Sequence, residues 1–143
     1  MPVVSVTRLR VRAWRFLPMF AWYAFRSGRQ AAQAPGNLAA QVLNDRKRAF
    51  WTATVWATEA AMKTFMLADA HREVMPKLLH WCDEAALVRW TQEGAELPTW
   101  AEAWRRLQSE GRRSKVNHPS SAHVAYQIPE PNPRRSVRLK SSA

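Results

Sequence analysis

The chain has a single cysteine, Cys82, in 143 residues. That excludes an intramolecular disulfide framework and a cysteine-rich zinc site, and it suits a reducing compartment. Acidic residues are scarce: 11 Asp and Glu stand against 22 Lys and Arg, for a net charge of +11. Long apolar runs are also missing, and none approaches the roughly 18 residues that a membrane span needs. The opening, MPVVSVTRLRVR, carries charges inside its apolar stretch and has no small-residue cleavage site. It does not read as a secretory signal. The expectation is a cytoplasmic protein with no membrane partner. No nucleophile–base pair, glycine-rich phosphate loop or paired-carboxylate motif stands out.

The positive charge is uneven. Residues 1–50 carry nine Lys or Arg against Asp45, residues 51–110 carry six against nine acids, and residues 111–143 carry seven against Glu130. The pI of about 11.2 invites a nucleic-acid reading. No nucleic-acid motif accompanies it, so a basic face plus a basic tail is the simpler account. From Gly111 onward Ser, Asn, Pro and Arg dominate, a composition that predicts a tail that drapes on the domain or stays disordered. The expected division is one domain over 1–110 and a disordered basic tail over 111–143.

What the chain has in plenty is tryptophan, eight in all. Indoles bury a large area and want a partner for the N–H. The strongest local signal is FWTATVWATEAAMKTFMLADAH, residues 50–71. Phe50, Thr52, Thr54 and Trp56 alternate with Trp51, Ala53 and Val55, which predicts a strand with two clothed faces. Thr58 is placed as an N-cap with Glu59 in the first turn, and Ala61, Met62 and Phe65 form a helical stripe.

The same reading gives a strand over 3–11, with an apolar phase shift near Leu9 that hints at a bulge. A helix follows over 17–34 and stops at Pro35-Gly36. Residues 37–44 and 48–57 form a hairpin through Asn44-Asp45-Arg46. Helix covers 58–68, then a turn or two over 71–80, where Pro76 argues for a kink. A fourth strand spans 84–92, and a capping box of Thr99 and Glu102 opens a short helix to Glu110. The order βαββαβ plus a terminal helix is a ferredoxin-like α+β fold with a four-stranded antiparallel sheet. Apolar residues on both strand faces ask for a second cover, which a face-to-face homodimer would supply.

FWTATVW, TEAAMKTFMLADAH and the corner HWCDEA resemble the dimeric α/β-barrel superfamily, near antibiotic-biosynthesis-monooxygenase-like small domains. VVSVTRLRVRAWRF and the APG before the second strand also resemble part of spheroidene-monooxygenase-type proteins. The resemblance covers about residues 2–92. It implies binding of a flat apolar or aromatic molecule, with oxidation by O₂ either without a cofactor or with haem. It implies His71 as the catalytic acid–base group or axial ligand.

Haem-degrading relatives add a helical tryptophan and a first-strand asparagine. Here the nearest residues are Phe65 and Ser5 or Thr7, so that triad is incomplete. Trp22, Tyr23, Trp51, Trp56 and Phe65 are the expected substrate-binding residues. Arg8, Arg10 and Arg12 share a face expected to be solvated, or else to meet an anion such as a substrate carboxylate or haem propionate. Cys82, beside Asp83, is read as a small buried residue. Two other functions stay open on sequence: a non-catalytic ligand-binding or scaffold homodimer, and an acidic-partner or nucleic-acid binder acting through the tail.

Overall fold

β1, Val3–Val11, lies at the centre of the molecule and pairs with a strand on each side. The computed structural model describes residues 1–139, with the side chains of residues 69–72 excepted. A short 3₁₀ turn leads into α1, Leu17–Gln33, with Pro18 in its first turn where no backbone donor is needed. β2, Asn37–Asn44, and β3, Ala49–Trp56, form the expected hairpin. α2, Glu59–Met66, and α3, Asp69–Trp81, follow as two helices, and β4, Cys82–Thr91, returns beside β1. The four strands lie in the order β4-β1-β3-β2, all antiparallel. This is the ferredoxin-like arrangement.

Local chemistry accounts for the helix ends. Thr58 accepts from the Ala61 amide at 3.1 Å, and Thr99 accepts from the Glu102 amide at 3.1 Å. Gly36 sits at φ +86°, and a Cβ there would meet the Ala61 Cβ at 2.5 Å. Glycine therefore lets the chain turn left-handed while α2 packs close. α3 continues through Pro76 as one helix, forgoing the one backbone bond that proline cannot donate. The register between β1 and β4 shifts at Arg10 and Val11, near where the apolar phase breaks.

Two expectations are corrected. The sheet has six strands, in the order β5-β4-β1-β3-β2-β6. The outer two, β5 (Arg112–Arg113) and β6 (Ser136–Leu139), come from the segment read as disordered. That segment also carries a short helix, α5, Ser121–Ala125. It orders by covering the open edges with backbone hydrogen bonds, which need few apolar side chains.

The second correction concerns the far face of the sheet. Val4, Val6, Trp51, Ala53, Val55 and Val88 pack against Trp100, Ala103 and Leu107 of α4, Trp100–Glu110, and against Ile128. The apolar face that asked for a second copy is thus covered within one chain. α1, α2 and α3 cover the opposite face in two separate clusters, one around Trp56, Met62 and Phe65 and one around Val11, Phe20 and Cys82.

Candidate functional site

Between those two apolar clusters the helix-facing side of the sheet is polar. Antiparallel pairing aligns Arg89, Ser5 and Thr54 in one row across β4, β1 and β3, and Leu87, Thr7 and Thr52 in the next. Ser5, Thr7, Thr52, Leu87 and Arg89 are only half-buried, although they sit on inner strands beneath helices. Helices and sheet therefore do not close over the middle of this face. Thr54 is buried and accepts the Trp56 indole N–H at 2.9 Å.

Arg89 dominates this belt electrostatically. Its Nη2 reaches the Met66 sulfur at 3.1 Å, and its Nε is buried without a hydrogen-bond partner. No ion pair among the described residues involves it. Burial, helped by the charge of Arg112 and opposed by Glu59, lowers its pKa from the ordinary value. A guanidinium held in this way is poised to meet an anionic or strongly accepting oxygen.

The belt adjoins an apolar cleft of about 530 Å³ between the end of α1 and α2, bordered by Gln33, Pro35, Ala61, Thr64, Phe65 and Ala68. Phe65 and Met66 are neighbours on α2. The first lines the cleft and stacks on Trp56 at 5.3 Å between ring centroids, and the second touches Arg89. Cleft and belt thus share one short stretch of α2.

The expected site residues scatter. Phe65 and Trp56 come together at the cleft. Tyr23 is buried on the inner side of α1, donates to Glu73 at 3.1 Å and accepts from Lys77 at 2.7 Å. Trp51 points to the far face and meets Trp100 edge-on at 6.3 Å, so it is core there and no part of the site. Trp22 lies on the outer face of α1, more than half exposed. Adjacent on the helix, Trp22 and Tyr23 face different sides of α1, so the two do not line one cavity together. His71 falls in the first turn of α3, three residues beyond cleft-lining Ala68, and its side chain lies outside the described residues. Arg89, which sequence reading passed over, had one signal: a cation inside the otherwise apolar run AALVRW.

Of the two expectations for Arg8, Arg10 and Arg12, a solvated face or one that meets an anion, the second holds for the two in β1. Arg8 is buried and bonds Glu84 at 2.7 Å, Arg10 bonds Asp83 at 2.6 Å, and Arg12 donates to the His80 carbonyl at 2.6 Å. Ser120 donates to the second Glu84 oxygen at 2.8 Å. Burial would raise the Glu84 pKa, but the bonds from Arg8 and Ser120 and the charges of Arg8 and Arg10 hold it below the ordinary value. For Asp83, burial outweighs Arg10, and its pKa is raised. Burial, with Asp83 beside it, pushes the Cys82 thiol up to about 12, which leaves it an inert core residue.

The strand order and the helices packed on the sheet define the molecule as a ferredoxin-like α+β protein. Solved structures of similar fold include SnoaB, a cofactor-independent oxygenase from Streptomyces nogalater, at 18% identity and TM-score 0.54, covering 68% of this chain and 98% of that one. A candidate antibiotic biosynthesis monooxygenase from Deinococcus radiodurans matches at 16% identity and TM-score 0.59, over 68% and 98% of the two chains. A conserved protein from Methanosarcina mazei Go1 matches at 14% identity and TM-score 0.58, over 65% and 94%. At such identities the likeness concerns the fold. No protein of curated function matches the chain. Residues 18–127 match the model of the domain of unknown function DUF3291, and the chain belongs to that family.

Proposed function

We propose that the protein binds a flat, apolar or aromatic small molecule bearing an acidic oxygen and oxidises it with O₂. The observation that carries this reading is Arg89: a half-buried guanidinium with no ion-pair partner among the described residues, set among Ser5, Thr7 and Thr52 beside the Phe65 wall. Rings would lie against Phe65 with Trp56 behind it. The oxygenated rim would meet Arg89 and the strand hydroxyls.

In the reaction, a methylene conjugated with a carbonyl, directly or through fused aromatic rings, loses a proton, with His71 as the proposed base and Arg89 stabilising the enolate oxygen. The carbanion form takes up O₂. One oxygen atom ends in a new carbonyl and the other leaves as water, all electrons coming from the substrate. Of the described histidines, His80 packs on Phe16, His118 faces His80, and His123 accepts from the Ala85 amide. Haem ligation would therefore rest on His71.

A tricyclic methylene ketone such as anthrone tests the proposal. Colourless protein that consumes O₂ with it, and loses most of that activity in His71→Ala and Arg89→Gln, supports the cofactor-free reaction. A Soret band lost in His71→Ala points to haem instead. A second reading, ligand binding without chemistry, is favoured by the burial of Trp51, Trp56 and Trp100 in packed cores. Saturable binding with no O₂ uptake would select it, and absence of both binding and uptake would remove either reading.

A further inference from the structure

α1 has two apolar faces. One packs inward through Phe20, Tyr23, Ala31 and Ala32. The other is bare: Met19 is 50% exposed, Trp22 58% and Phe25 58%, with Trp14 just upstream at 68%. Met19, Trp22, Arg26 and Arg29 recur at three- and four-residue spacing, so the exposed rings and the arginines share one side of the helix. Arg29 sits over the Phe25 ring at 5.8 Å and Arg48 over the Trp14 ring at 5.2 Å. No acidic residue occurs in α1, and none precedes Asp45 in the chain.

Exposed tryptophan and phenylalanine are costly to leave in water, and a contiguous patch of them marks a contact surface. The charge around it decides what fits. Arg26 reaches Glu73 of α3 at 3.9 Å, which offsets part of its charge, but a second copy would still set Arg15 and Arg29 against themselves, an unfavourable pairing. An anionic surface would be matched. Rings that insert to the depth of a headgroup layer, with arginines beside them that reach phosphates, are the chemistry of an interfacial helix. No helix among the described residues is long and apolar enough to cross a membrane, so the mode is docking on the surface.

We infer that the outer face of α1, with Trp14, is a docking surface for an anionic lipid bilayer. The sequence expectation of no membrane partner rests on the lack of a long apolar run, a test for spanning helices that a surface-docking face does not meet.

Sedimentation of the full chain with vesicles tests this, using phosphatidylcholine alone and phosphatidylcholine containing phosphatidylserine. The expected result is binding to the phosphatidylserine vesicles, with a blue shift of tryptophan emission and loss at raised salt. The double variant Trp22→Ser, Phe25→Ser should bind roughly tenfold more weakly or less. Its melting temperature should stay near that of the wild type, since neither ring packs in the core. The inference is overturned by no partition to anionic vesicles, by equal partition of the double variant, or by binding to a DNA or RNA duplex in place of vesicles. Conversion of a wild-type dimer to a monomer by the double variant would assign the face to a second copy and overturn it equally. None of these outcomes depends on the oxygenase reading, because the face lies outside the cleft.

Discussion

Arg8 and Glu84 are 5% and 8% exposed, and each is the other's principal counter-charge. Truncating Arg8 leaves buried Glu84 with only Arg10, at 3.6 Å, and the Ser120 hydroxyl. Arg8→Ala is expected to lower stability by about 3 kcal/mol in urea unfolding at neutral pH. The carboxyl adds a pH term. Its folded pKa lies below the unfolded one, so its contribution is complete above the ordinary carboxyl range. It is lost as pH falls through the folded value. The deficit of the variant should therefore shrink in acid. Sequence could place Arg8 on one face of a strand with Arg10, because side-chain alternation is local. It could not supply the partner, which is 76 residues away and meets Arg8 only through the β1–β4 register. Arg89 was missed for a related reason: an arginine in a strand reads as a solvated edge until helices are packed above it.

At the scale of elements, the ends were legible and the docking was not. Thr58 and Thr99 cap where their spacing says they should, since a cap is a contact within three residues. The segment after Gly111 defeats composition because its anchors are tertiary. The Trp104 indole donates to the Ile128 carbonyl at 2.7 Å, Gln108 donates to that of Tyr126 at 2.8 Å, and Tyr126 donates to Leu107 at 2.6 Å. His123 ties α5 to β4 by accepting the Ala85 amide at 3.3 Å, which its ring can do only when neutral.

Burial and then Arg113 lower the His123 pKa, while Glu84 and Asp83 oppose them. A lowered value means the contribution is complete above the unfolded pKa, begins to weaken below it and is lost as pH falls through the folded one. Hydrogen exchange of the amides in 121–127, corrected for intrinsic rate, should speed up as pH drops below about 6.5. A pH-independent protection factor would contradict this. At the other end of α1, Gly36→Ala must move Ala61 and strain a left-handed turn, and should cost about 2 kcal/mol in thermal or urea unfolding.

The whole molecule is a sheet clothed on both sides by one chain, with α1, α2 and α3 on the side of the belt and α4 on the other. The βαββαβ order was legible because each strand and helix has its own period, and the strand order 4-1-3-2 follows from it. The cover of the far face was not, because apolar strands do not say whose side chains will bury them. A chain ending at residue 98 would bare Trp51, Val4, Val6 and Val55, and should self-associate in light scattering where the full chain does not aggregate.

The belt and cleft are the centre of the account, and their location can be read directly. ¹⁵N-labelled protein titrated with 1-hydroxy-2-naphthoate, a flat aromatic anion, should show saturable amide shifts centred on Ser5, Thr54, Phe65, Met66 and Arg89, lost in Arg89→Gln. Shifts confined to the outer face of α1, or no saturable shift with the naphthoate in excess, would contradict it.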